Sequence, residues 1–392
     1  MKISNMSITG FKAIQDMNFE PGNVNVLIGA NGAGKSTVLE AIGLLSLAMT
    51  DRVDNIGLAR KGIRLSTPSL YKSSFKNCTT KKTIDLSVNW SDVNQYRYDV
   101  HLFTPKESDS WKYQSEILYE NDIRLWGRSG RSGDAYDNKV GMLMLQPDEK
   151  LEALRPTIEA FRDYAIYQPV TPVLRGTIPD STQKLPLGIN GGRLAEAIED
   201  LLYENDDGDP MFGSMLVDDL LELIDWANNF SISMPKKSNI NASVSTSRRV
   251  IEFCDKFMKS SDRFTAYDAS EGSLFVLFLL CLAMHPKAPN IFAIDNFDQA
   301  MNPRLAKVVT KSFCDLILAQ DKTAFLTTHN PLVLDGLNLE NERIRLFTVE
   351  RNRRHGYVQL SRIQVTKELL QAQMPLSRLW VNGLLGGVPN LL

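Results

Sequence analysis

Cysteine is scarce and ungrouped in this chain. Cys78, Cys254, Cys281 and Cys314 stand far apart with no C-x-x-C pair among them, which argues against a disulfide scaffold or a thiolate metal site and points to reduced thiols. Histidine offers no alternative: His101, His285 and His355 have no partners at metal-ligand spacing, so no transition-metal site is expected. Charge imbalance is also missing. A net charge of -2 over 392 residues gives no global field toward nucleic acid or an anionic membrane, so any such contact has to be local. The longest apolar run, Leu274 to Met284, is too short to span a bilayer and reads as a buried helix. The opening "MKISNMSITGF" alternates like a strand and has no apolar export stretch. Neither a Ser/His/Asp nor a Cys/His nucleophile set can be argued, and no internal repeat or sustained heptad is visible. These absences leave a cytoplasmic globular protein that keeps clear of the membrane and has chain enough for a large core.

What is present begins with "VNVLIG", a continuous apolar strand that runs into "GANGAGKS" and then into "KSTVLEAIGLLSLAM", where Val38, Ile42 and Leu45 fall at helical spacing. The octet fits G-x-x-x-x-G-K-S in the strand–loop–helix context the motif requires. Gly29, Gly32 and Gly34 let the backbone turn its N–H groups inward around a β-phosphate, and the helix N-terminus adds its dipole. Asn31 and Thr37 complete the contact run, Lys35 reaches the β/γ oxygens and Ser36 is a Mg²⁺ ligand. A second apolar strand, "IFAID", ends in Asp295, placed to hold Mg²⁺ through water; alone, such an aspartate reads equally as a helix cap. "YDASEGSLF" puts Ser270 and Gly272 at the start of the apolar helix, and "TTHNP" puts His329 at the end of the next strand. Each has an ordinary reading by itself, Ser270 as an N-cap and His329 as a satisfied histidine.

With these four elements in this order the sequence resembles the ABC-type ATPases of the RecF/SMC/OLD class. The resemblance implies that ATP and Mg²⁺ are the cofactors, that Asp295 is the Walker B aspartate, that "AMNP" (Ala300 to Pro303) is the D-loop and that His329 senses the γ-phosphate. It further implies that Ser270 and Gly272 contact the γ-phosphate held by the opposite subunit, so the working unit is a homodimer or a higher oligomer. A Mg²⁺-contacting glutamine is implied as well, with Gln146 and Gln168 as the options. The middle segments "IYQPVTPVLRG" and "GINGGRLAEAIEDL", with the tail "PLSRLWVNGLLGG", are similar to compact bacterial ATPases of anti-phage systems. That likeness implies a separate nuclease or toxin effector as partner. A RecF-like clamp that binds DNA in the ATP state is the other reading.

The expected architecture is an α/β P-loop ABC-type head with a mixed sheet, an antiparallel β subdomain and a helical lobe. Residues 1–50 and 265–392 form a split nucleotide-binding lobe. Residues 51–130, with period-two runs such as Ile84, Leu86, Val88 and Trp90, form the β subdomain, and 131–264 the helical lobe carrying the insertion. Three departures from the class bear on function. The roughly 215 intervening residues carry no coiled-coil heptads. The residues after His329, about 60, lack the D-x-D of a Toprim nuclease. Asn296 stands where a catalytic glutamate is expected, with Asp298 the nearest carboxylate, so ATP hydrolysis is expected to be slow. The basic runs "RKGIR" (Arg60 to Arg64) and "RNRRHG" (Arg351 to Gly356) read as solvated turns or as phosphate contacts.

Overall fold

The structure is a computed structural model. It describes residues 1–76, 78–105, 111–129, 138–141, 143, 152–180, 182, 184–203, 217–218, 220–235, 240–241, 243–244, 247–259, 263–364 and 374–387. The chain opens with β1 (Lys2–Phe11) and β2 (Ile14–Phe19), then runs through β3 (Val24–Ile28) into the glycine loop and α1 (Lys35–Thr50). A short helix α2 (Asn55–Arg60) precedes β4 (Ile84–Ser91), β5 (Gln95–Phe103), β6 (Lys112–Glu120) and β7 (Ile123–Arg128). The middle holds α3 (Arg155–Asp163), β8 (Ile166–Tyr167), α4 (Thr171–Leu174) and α5 (Leu194–Tyr203), followed by β9 (Ala227–Ser233), β10 (Val250–Asp255) and β11 (Arg263–Thr265). The last third comprises α6 (Glu271–Met284), β12 (Ile291–Ile294), α7 (Pro303–Ala319), β13 (Thr323–Thr327), α8 (Pro331–Leu334), β14 (Ile344–Arg351), β15 (Val358–Arg362) and α9 (Leu376–Val381).

The strands form three sheets. One is six-stranded and antiparallel in the order β2-β1-β4-β5-β6-β7, one is the three-stranded β11-β10-β9, and one is a six-stranded mixed sheet in the order β15-β14-β3-β13-β12-β8. In the mixed sheet only β15 runs antiparallel to its neighbour. Its central strand β3 is buried along its whole length, which is why it reads as an unbroken apolar run rather than an alternation. In the antiparallel sheet β4 buries Ile84, Leu86, Val88 and Trp90 on one face and leaves the intervening residues half-exposed, as its period-two pattern requires.

Helix α1 lies between the two six-stranded sheets. Its apolar side chains share one core with Met6 and Ile8 of β1, Val88 of β4 and Val100 of β5, and with Leu27, Ala293 and Phe325 of the mixed sheet. Every residue of α1 except Ser36 is buried, so the helix that follows the glycine loop is clamped from both sides. A second core on the other face of the mixed sheet joins α6, α7 and β12. Among the described residues no helix is long and apolar enough to cross a membrane.

Candidate functional site

The site grows out of the end of β3. Gly29 has φ +155° and Gly34 has φ +111°; a Cβ would come within 2.2 Å of the Val349 carbonyl oxygen at the first and 2.4 Å of the Val358 Cγ2 at the second. Only glycine fits both the conformation and the space. Gly34 is also the N-cap of α1, and no side chain caps that terminus, so the first-turn N–H groups stay free for an anion.

Lys35 is 6% exposed. Its Nζ donates to the carbonyl oxygens of Gly29 at 2.8 Å and Ala30 at 3.2 Å. Burial pushes its pKa down to about 8, against the opposing pull of Asp295 and Asp298. The ammonium is thus held ready beside the loop by weak acceptors, and a phosphate oxygen is a far better partner for it.

The Ser36 hydroxyl donates to Asp295 Oδ2 at 2.8 Å. Asp295 follows β12, and its Oδ1 accepts from the Thr327 hydroxyl at 2.5 Å. The Asn296 N–H donates in turn to Thr327 Oγ1 at 2.8 Å. A hydroxyl and a carboxylate brought together, oxygen donors only, suit a hard cation such as Mg²⁺. Ser36 and Asp295 would hold that ion, and it would supply charge neutralisation to bound phosphates.

After Asp295 the chain turns sharply. Asn296 and Ala300 take φ of 59° and 60°, and Asn302 caps α7 by accepting from the Leu305 N–H. The turn carries Asp298 to His329, whose backbone N–H donates to Asp298 Oδ1 at 3.3 Å. Burial lowers the pKa of the His329 imidazole, and the charge of Lys35 lowers it further, so the ring is neutral near pH 7. The structure thus brings Lys35, Ser36, Asp295, Asp298 and His329 together beside the glycine loop.

Ser270 and Gly272 lie at the start of α6. Ser270 is the exposed N-cap of α6, and its Oγ accepts from the Ser273 N–H at 3.2 Å. Gly272 packs on the turn after Asp295, with a Cβ there coming within 2.9 Å of the Ala300 carbonyl oxygen. Of the two glutamines, Gln146 lies outside the described residues. Gln168 directly follows Tyr167, which is in register with Ile294 and whose carbonyl accepts from the Asp295 N–H at 3.0 Å. It flanks Asp295 one strand over.

Other residues of the site escaped the sequence reading. Thr327 carries no pattern beyond a strand end. Glu40, one turn after Ser36, is 2% exposed and binds Lys12 Nζ at 2.7 Å and Arg64 Nε at 2.8 Å. Burial alone would raise its carboxyl, but the Arg64 hydrogen bond and the Lys12 charge hold it below the usual range. A carboxylate in the otherwise apolar helix "VLEAIG" was the available signal. The basic runs divide: Lys61 is buried and caps the carbonyls of Phe161 and Arg162, whereas Arg351 Nε donates to the Gly32 carbonyl at 3.1 Å.

Comparisons with known proteins bear on the fold and on the first part of the chain. Residues 1–163 match the family described as AAA ATPase domain. The chain is similar to DNA replication and repair protein RecF of Renibacterium salmoninarum, 34% identical over 100 residues that cover 25% of this chain and 24% of that protein. It is also similar to RecF of Stutzerimonas stutzeri, 42% identical over 170 residues covering 43% and 38%. The matched region is thus well under half of these relatives' own length. Among solved structures, an SMC head bound to the C-winged helix domain of ScpA superposes over 94% of this chain and the whole of its own with TM-score 0.56 at 12% identity. The SMC head domain from Thermotoga maritima superposes over 93% and the whole of its own with TM-score 0.51 at 11% identity. By fold the chain is similar to SMC heads, its residues 1–163 match the AAA ATPase domain, and its motifs stand in the order found in ABC-type ATPases of the RecF/SMC class.

Proposed function

We propose that this head binds ATP·Mg²⁺ along Gly29 to Thr37, closes into a dimer when it does so, hydrolyses slowly, and acts as a nucleotide-gated switch. The observation that carries the reading is the bonded set Ser36–Asp295–Thr327, set beside a buried Lys35 and an uncapped helix N-terminus. Lys35 would neutralise the β/γ oxygens, Ser36 and Asp295 would hold the metal, and His329 would stand at the γ-phosphate. Ser270 is exposed on its own subunit, where it is free to meet the γ-phosphate of a second copy. ATP then bridges two protomers, and its loss releases them.

Calorimetric titration tests the site. ATP·Mg²⁺ binds the wild type, and Lys35→Ala removes most of the affinity; equal affinity in the variant overturns the assignment. Light scattering tests the dimer. Wild type gains mass with ATP while Ser270→Arg binds ATP without gaining it; identical masses in all four conditions refute nucleotide gating.

We further propose that what the switch governs is a separate nuclease or toxin effector in cytoplasmic anti-phage defence. The likeness of Ile166–Gly176 and of the tail to compact defence ATPases supports this, as does the longest described helix, α7 at 17 residues, which offers no long lever arm. The second reading is a DNA-repair clamp, favoured by the RecF relatives. It requires the ATP form to retain DNA with a steep salt dependence; retention that is weak and indifferent to ATP removes it.

A further inference from the structure

Across the mixed sheet the strands run β14, β3, β13, β12. The phosphate loop leaves β3, while Asp295 follows β12 and His329 follows β13. A triphosphate held by Lys35 and Ser36 would have its γ end on the β13–β12 side, where Ser36 meets Asp295. Its nucleoside end would then lie on the opposite side, where β14 turns back into β15.

That turn is built rather than loose. The Asn352 N–H donates to the Tyr357 carbonyl and the Gly356 N–H to the Asn352 carbonyl, each at 2.8 Å. Asn352 Oδ1 accepts from the Arg354 N–H at 3.0 Å and the His355 N–H at 2.9 Å. The Arg351 guanidinium spans the gap to the phosphate loop, with Nε donating to the Gly32 carbonyl at 3.1 Å and Nη1 to the Gly356 carbonyl at 3.4 Å. Beside this bridge the His355 and Tyr357 rings stack, with centroids 5.9 Å apart and planes 15° apart. Phe75 meets Tyr357 edge-on at 6.3 Å. All three rings are half-exposed, and the buried Nδ1 of His355 has no hydrogen-bond partner among the described residues. Aromatic faces left partly open next to a phosphate loop are what a nucleobase stacks on.

We infer that Phe75, His355 and Tyr357 form the shelf that takes the base of the bound nucleotide, and that Arg351 ties this shelf to the phosphate loop. The assignment rests on the nucleotide reading of Gly29 to Thr37. Stacking accepts any base face, so the shelf separates nucleotides from bare polyphosphates rather than one base from another.

Titration calorimetry with ATP and with inorganic tripolyphosphate, both with Mg²⁺, tests it. Wild type binds ATP more tightly than tripolyphosphate. Tyr357→Ala loses ATP affinity on the order of tenfold with tripolyphosphate unchanged, and Tyr357→Phe, which keeps the ring, restores it. Tyr357→Ala that binds ATP like wild type, or that loses both ligands by the same factor, overturns the shelf. Wild type that binds both ligands equally overturns the shelf alone, whereas wild type that binds neither overturns the nucleotide reading and the shelf with it.

Discussion

Thr327 gives a direct test of how the site is assembled. It is fully buried, donates to Asp295 Oδ1 at 2.5 Å and accepts from the Asn296 N–H at 2.8 Å. Thr327→Val keeps the shape and removes both bonds, so no cavity term enters. A hydrogen bond to a charged acceptor contributes about 1.5–3 kcal/mol, and a buried N–H left without an acceptor costs about 1–3 kcal/mol. Asp295 and Asn296 are half-buried, so water offsets part of each loss and the expected sum is about 2–4 kcal/mol. Thr327→Ser retains the hydroxyl and should lose much less, since only a methyl group is removed. Urea unfolding followed by tryptophan fluorescence reads the difference as a shift in midpoint at constant slope. Nucleotide titration with and without Mg²⁺ then asks whether Asp295, freed at one oxygen, still supports the metal; the Mg²⁺-dependent gain in affinity should shrink in the valine variant and persist in the serine one. A valine variant within about 0.5 kcal/mol of wild type, or a serine variant as unstable as valine, would refute the idea that this hydroxyl fixes Asp295.

Much of the site was legible because its motifs are local. The strand–loop–helix around Lys35 and the apolar helix opening at Ser270 rest on adjacent residues, and β3 and α6 stand where continuous apolar runs place them. What escaped depends on pairing between distant segments. β1 pairs with β4 in a register running from Lys2↔Ser91 to Thr9↔Asp85, and no local pattern in either strand specifies that partner. β8 is two residues long, too short for any periodicity to show, yet its pairing with β12 sets Gln168 beside Asp295. Glu40 was hidden for a different reason. α1 is buried on nearly every side, so it has no polar face against which a carboxylate looks misplaced, and its cationic partners come from residues 12 and 64. The basic runs were opaque because charge alone does not say which member turns inward: Lys61 does and Arg60 does not.

Two further predictions concern chemistry. Lys35 has its pKa pushed down to about 8 in the nucleotide-free protein, chiefly by burial, whereas a bound triphosphate favours the ammonium. ATP affinity should therefore be flat below about pH 7 and fall above about pH 8, approaching tenfold per pH unit, while the nucleotide-free fold gains stability from about pH 8 toward 10.4 because the unfolded chain keeps the proton longer; affinity unchanged from pH 7 to 9.5 contradicts this. The other prediction turns on Asn296. An amide orients water but takes no proton from it, so wild-type turnover should fall well below the roughly 1–100 s⁻¹ of kinases. The backbone there is left-handed at φ 59°, a conformation asparagine tolerates better than most residues and glutamate adopts at a cost of order 1 kcal/mol. Asp298, bonded to the His329 N–H at 3.3 Å and near enough to Lys35 to oppose its pKa depression, is the carboxylate we propose as the proton acceptor. Asn296→Glu should accelerate hydrolysis despite the strain, and Asp298→Ala should abolish most of what remains in the wild type without weakening ATP binding comparably. Rapid wild-type turnover that survives Asp298→Ala would place the base elsewhere and remove the argument that this head is a slow switch.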